Sequence, residues 1–140
     1  MSRRHKLWAA AQRRHLYSCL GGRCQCCKSE TNLTFDCIVP QGNGHHPKSA
    51  PERICFYRKE MRKGNVQLLC AECNSMKGAL PMEVWCSAMS MMIASDEYKR
   101  LWVASGRDTG AMQENRRRLM REILSSLRCD ETFTTVDVPY

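Results

Sequence analysis

The chain has 140 residues, with 22 Lys and Arg against 14 Asp and Glu, a formal net charge of +8 and ten cysteines. That length carries one modest domain, or a small domain with a helical appendage. Its longest apolar run is too short for a membrane span, and the opening MSRRHKLWAAAQRRHLYSC lacks the apolar stretch of a secretory signal, so a reducing cytoplasm is the expected location.

Positive charge leads the chain. Arg3, Arg4, Lys6, Arg13, Arg14, Arg23 and Lys28 all precede the first acid, Glu30. This is an electrostatic footprint for nucleic acid. An acidic membrane ranks lower, because the segment has no long apolar face to insert. Residues 5–20 are Ala-rich, free of Pro and Gly, and predict a helix that Gly21 and Gly22 stop. RCQCCKS follows as a tight cysteine turn.

Residues 33–39 alternate Leu33, Phe35, Cys37 and Val39 against Thr34, Asp36 and Ile38, the period of a strand, and Pro40 ends it. Residues 41–50 form a Gly/Pro/Asn loop carrying His45 and His46. PERICFYRKEMRKG predicts a short helix, and Val66 to Leu69 a second strand that runs into CAEC. A helix is expected from Asn74. Beyond it the chain reads as helical. Met82, Trp85, Met89, Met92 and Ile93 make one stripe, with Pro81 in the first turn. Ser95 caps a segment ending near Gly106, and Met112, Leu119, Ile123 and Leu127 make another stripe. The methionines read as core packing. The run Arg116, Arg117 and Arg118 is either a solvated face or a set of DNA-backbone contacts. The polar, acidic end of the chain reads as a flexible tail.

Cysteine spacing carries the chemistry. Cys24-x-x-Cys27 and Cys70-x-x-Cys73 are two tight turns that each aim two thiolates at one ion, together a four-thiolate structural zinc site with no position left for water. Such a site contributes directly to folding. Cys26, adjacent to Cys27, reads as a spare thiol. Cys19, Cys55, Cys86 and Cys129 read as buried small hydrophobes.

The texts "LGGRCQCC", "LTFDCIVPQGNGHH" and "GNVQLLCAECNSMKG" together resemble the zinc-containing HNH endonucleases over roughly residues 20 to 78. The resemblance implies an α+β chain: a small ββα-metal, treble-clef-like core with a four-cysteine zinc site, an N-terminal helix and a C-terminal helical extension. The expected division is 1–79 for the core, 80–129 for the extension and 130–140 for the tail. It further implies that Asp36 and Asn74 bind a catalytic Mg2+ or Mn2+, that Asn65 hydrogen-bonds across the loop, and that Lys77 faces a phosphate. Arg13 and Arg14 join Arg116 to Arg118 as expected DNA contacts. Oxygen ligands suit such an ion, and imidazole suits the base that activates water.

Where the family carries its base, immediately after the strand Asp, this chain has Cys37. A thiol with an ordinary pKa of about 8.5 is a poor neutral base. A turn over Pro40 to Asn43 sets His46 opposite Cys37, about 5 Å away between β-carbons. A turn over Asn43-Gly44 carries it about 13 Å down the strand. Both registers are open, with His45 as the neighbour that holds a phosphate or orients His46. The resemblance thus implies a DNA endonuclease from a phage or bacterial source. Its C-terminal helices would serve a homodimer or a partner such as phage packaging machinery. The rival reading is a zinc-knuckle DNA-binding module whose HNH site has lost its base.

Overall fold

A computed structural model of the chain describes residues 2–39, 41, 49–105 and 110–128. Among them the elements are α1 (Arg3–Cys19), β1 (Leu33–Cys37), α2 (Ala50–Arg62), β2 (Val66–Cys70), α3 (Ala71–Lys77), α4 (Met82–Ala94), α5 (Asp96–Ala104) and α6 (Gly110–Arg128). The chain is therefore mostly helical, with a two-stranded sheet. No described helix is long and apolar enough to cross a membrane. His45, His46, Cys129 and the expected tail lie outside the described residues.

The described residues divide into two compact units. One takes the chain up to Gln25 and from Ser29 to Asn74; the other takes Cys26–Lys28 and the chain from Ser75 onward. This division falls inside α3 and assigns the tip of the cysteine turn to the second unit.

In the first unit, β1 and β2 run antiparallel, with Leu33 opposite Cys70, Phe35 opposite Leu68, Asp36 opposite Gln67 and Cys37 opposite Val66. Alternation along the strands puts Phe35, Val66 and Leu68 on one face. There they form a core with Ala9 and Leu16 of α1 and Ile54 of α2. The rings of Tyr17 and Tyr57 flank Phe35 at 5.0 and 4.8 Å between centroids. Offset ring pairs of this kind add stabilisation beyond their buried area.

Helix ends explain where these elements stop. Ser2 caps α1 by accepting from the His5 N–H, so the helix begins earlier than its apolar stripe suggests. At its other end the Gly22 N–H donates to the Tyr17 carbonyl and the Gly21 N–H to that of Ser18, a paired closure with both glycines at positive φ. Helix α2 closes the same way. Gly64 N–H donates to Met61 O and Asn65 N–H to Glu60 O, again with the glycine at positive φ.

In the second unit, α4, α5 and α6 pack on one another. Trp85, Ala88 and Met92 of α4 and Met112, Leu119, Met120 and Leu124 of α6 are buried. Ile93, expected on the buried stripe, is exposed, because the stripe centres on residues 85, 88 and 92. Pro81 is the N-cap of α4, one position before the helix, and Ser95 caps α5 by accepting from the Tyr98 N–H.

Leu68 is fully buried at the centre of the first core. Leu68→Ala should cost about 2–5 kcal/mol in denaturant unfolding. Val103→Ala, at an exposed position, should stay within about 0.5 kcal/mol of the wild type.

Candidate functional site

Cys24, Cys27, Cys70 and Cys73 come together. All four are buried, and their sulfurs lie within 4.8 Å of one another. A tetrahedral ion with metal–sulfur bonds of about 2.3 Å spaces its sulfurs about 3.8 Å apart. The group therefore closes on an ion with small side-chain rotations. Local structure prepares it. The Cys24 N–H donates to the Ser29 carbonyl across the turn, which Lys28 closes at φ 68, and Gln25 N–H donates to Leu68 O of β2. Cys70 ends β2 and Cys73 sits in the first turn of α3, where its N–H donates to the Cys70 sulfur at 3.4 Å. Cys26 is buried but stands outside the group.

The other isolated cysteines depart from expectation. Cys19, Cys55 and Cys86 are exposed, on the solvent faces of α1, α2 and α4. Cys19 lies one helical turn after His15, with its sulfur 3.5 Å from the imidazole Nε2.

Asp36 and Thr34 share the sheet face opposite the Phe35 core. Gln67, directly across the sheet, donates its Nε2 to the Asp36 carboxylate at 2.9 Å. Asn74 donates its Nδ2 to the Thr34 hydroxyl at 3.1 Å, and that hydroxyl donates to the Leu69 carbonyl. Helix α3 starts at Ala71, so Asn74 sits within the helix and does not open it. Cys37, one residue after Asp36, lies by strand alternation on the Phe35 face, and its cross-strand neighbour is Val66. The loop register that would set His46 opposite it lies outside the described residues.

Asn65 reaches across to the end of β1. Its Oδ1 accepts from the Val39 N–H at 2.6 Å and its Nδ2 donates to the Val39 carbonyl at 3.1 Å. The same Nδ2 donates to the Glu60 carboxylate at 2.9 Å. Glu60, only 3% exposed, also takes the Lys63 ammonium at 3.1 Å. The Asn65 amide, and then Lys63, hold the Glu60 carboxyl below its usual range. Glu60 went unnoticed as a sequence, although its place five residues before Asn65, at the end of an apolar helix face, was the available signal. On the other sheet face the Tyr57 hydroxyl titrates above its usual value, first through burial and then through the nearby Cys37.

The basic residues separate into two groups. Twelve Lys and Arg face five Asp and Glu in the sequence of the first unit; in the second they number ten against nine. Arg3, Arg4, Lys6 and Arg14 are exposed along α1. Arg13 is half-buried, its guanidinium over Phe35 at 5.7 Å and donating to the Tyr17 hydroxyl. Lys77 and Arg116, two of the expected phosphate contacts, are 3% and 2% exposed. Arg116 lies over the Trp102 ring at 4.8 Å and donates to the Tyr98 hydroxyl and the Cys27 carbonyl. Arg117 pairs with Glu114, and Arg118 with Glu97 and Glu122.

Comparison with protein-family models, with curated proteins and with solved structures finds no match to this chain.

A carboxylate whose pKa is lowered by folding stabilises the protein above its ordinary value, near 4.5 for Glu, and loses that contribution as pH falls through the lower folded value. Glu60→Gln should therefore flatten the acid limb of the stability profile. Urea unfolding of both proteins from about pH 7 to about pH 3 should show their difference shrinking below about pH 4.5.

Proposed function

We propose that this chain is a zinc-stabilised, metal-dependent DNA endonuclease of the HNH type. The carrying observation is that β1, β2 and α3 bring Asp36, Thr34 and Asn74 to one sheet face, in a chain whose two cysteine pairs lie before β1 and at the junction of β2 with α3. That order supports a ββα-metal core. Four buried thiolates in tetrahedral range favour zinc over harder ions. Asp36 and the amide oxygen of Asn74 are the ligand types a Mg2+-class ion takes. Such an ion, when bound, polarises a phosphodiester and stabilises the leaving oxygen. Gln67 orients the Asp36 carboxylate, Thr34 orients the Asn74 amide, and the Glu60–Asn65 pair holds the chain where β1 leaves the sheet. His46 is the proposed base, with His45 beside it.

DNA affinity is assigned to the first unit, where the uncompensated positive charge lies. Arg3, Arg4, Lys6 and Arg14 of α1 and the exposed Lys59 and Arg62 of α2 supply it. Such binding weakens steeply with salt and reads little sequence. Lys77 and Arg116 are buried, and Arg117 and Arg118 are ion-paired, so the proposal rests on these first-unit cations. The C-terminal helices remain the proposed site of self-association or of a partner. The proposed setting is the cytoplasm of a bacterial or phage-infected cell.

The placement of Cys37 away from the Asp36 face favours a second reading, a DNA-binding module that has lost its base. Plasmid cleavage with Mg2+ or Mn2+ separates the two. The nuclease reading expects Asp36→Ala and His46→Ala to lose about 100-fold or more of the rate, with Cys37→Ala close to wild type. A zinc-loaded wild type that binds DNA yet cuts no duplex, branched or single-stranded substrate would establish the module instead.

Metal analysis of the purified chain should find one zinc per molecule and no colour from iron. Removal by a chelator should lower the melting temperature, since metal binding and folding are coupled. A chain that is equally stable and metal-free would refute the zinc assignment.

A further inference from the structure

We propose that Arg117 is a positioning residue for the four-cysteine centre: its guanidinium hydrogen-bonds the metal-bound sulfur of Cys27 and takes up part of the charge that the centre buries. The inference rests on the zinc part of the reading above and is independent of nuclease activity.

Four thiolates around one divalent zinc leave two net negative charges. All four cysteines are buried, and a buried charge is costly unless it is paired or hydrogen-bonded. Arg117 Nη1 lies 3.4 Å from Cys27 Sγ, within donor range for sulfur. The side chain is 14% exposed, so its charge acts through little intervening water. Glu114, one turn earlier on α6, fixes it from the opposite side, accepting from Arg117 Nε at 3.1 Å and Nη2 at 2.9 Å. The planar fork is thus divided, with one edge on the carboxylate and Nη1 on the sulfur. A lysine ammonium lacks this fork.

The neighbouring residue makes the assignment specific. Arg116 Nη1 donates to the Cys27 carbonyl at 3.3 Å. That guanidinium is itself seated on Trp102 and on Tyr98, whose hydroxyl accepts from its Nε and Nη2. Two consecutive arginines therefore hold one cysteine, Arg116 by its backbone and Arg117 by its sulfur. Loss of an outer-shell hydrogen-bond partner of a metal ligand typically costs about 10–100-fold in metal affinity. Arg116 and Arg117 thus serve the metal centre, while Arg118 pairs with Glu97 and Glu122.

The test uses the full chain loaded with zinc, and separately with Co2+ as a spectroscopic probe. Arg117→Met keeps the stem and removes the donors; Arg117→Lys keeps the charge and loses the fork; Arg118→Met alters the adjacent, ion-paired arginine. Competition with a chromogenic chelator should show zinc affinity lowered about tenfold or more in Arg117→Met, less in Arg117→Lys, and unchanged in Arg118→Met. In the Co2+ form, the thiolate-to-metal charge-transfer band of Arg117→Met should move to longer wavelength, because an unbonded sulfur is the better electron donor. A merely structural arginine would lower the melting temperature without moving that band, and this result would overturn the proposal. Wild-type affinity in Arg117→Met would overturn it equally. If the wild type binds no zinc, the zinc assignment itself falls, and the inference with it.

Discussion

Burying four sulfurs within 4.8 Å of one another is the constraint on which the arrangement of this chain turns. Neutral thiols gain little from such crowding, whereas thiolates at that spacing repel unless a cation sits among them. The surrounding backbone is built for the group. A left-handed residue at Lys28 closes the first cysteine turn, β2 delivers Cys70 at its end, and α3 begins immediately so that Cys73 lies in its first turn. Because α3 starts there, Asn74 follows at a fixed rotation about the helix. Its amide meets Thr34 on β1, and Asp36 is two residues further along the same face. The residues proposed to carry the chemistry thus inherit their positions from the residues proposed to hold zinc.

A second, polar device governs the far end of β1. The left-handed closure of α2 aims Asn65 back at the helix that precedes it, and the Glu60 carboxylate then orients the Asn65 amide towards Val39. One side chain thus pairs with both the N–H and the carbonyl of Val39 as the chain leaves the sheet. This gives Asn65 a mechanical role that stands whether or not the chain cuts DNA.

Much of the first unit was legible as sequence because its signals are local. Strand alternation in LTFDC, the Gly-Gly stop after α1, the helical spacing of Ile54, Tyr57 and Met61 and the spaced cysteine pairs all act over a few residues. The same alternation also separates Cys37 from Asp36, a conclusion available before any coordinates. What escaped was set by partners distant in the chain. Arg116 looked like part of a solvated basic run, yet it falls four residues after Met112 and three before Leu119, on the buried stripe of α6. Its cost of burial is offset by two aromatic rings, a tyrosine hydroxyl and a carbonyl 89 residues away. Lys77, one turn beyond Asn74, is likewise buried, which nothing in its immediate sequence signals.

Three single cysteines exposed among the described residues have a practical consequence for any study of assembly. Cys19, Cys55 and Cys86 each present a thiol to solvent on a different helix. In air or peroxide, such groups on separate molecules couple into disulfides, as buried ones do not. With three linkable points among the described residues alone, the products are branched and heterogeneous. A ladder of covalent species formed without reductant therefore reports oxidation chemistry, and only association that persists under reducing conditions speaks to a genuine interface.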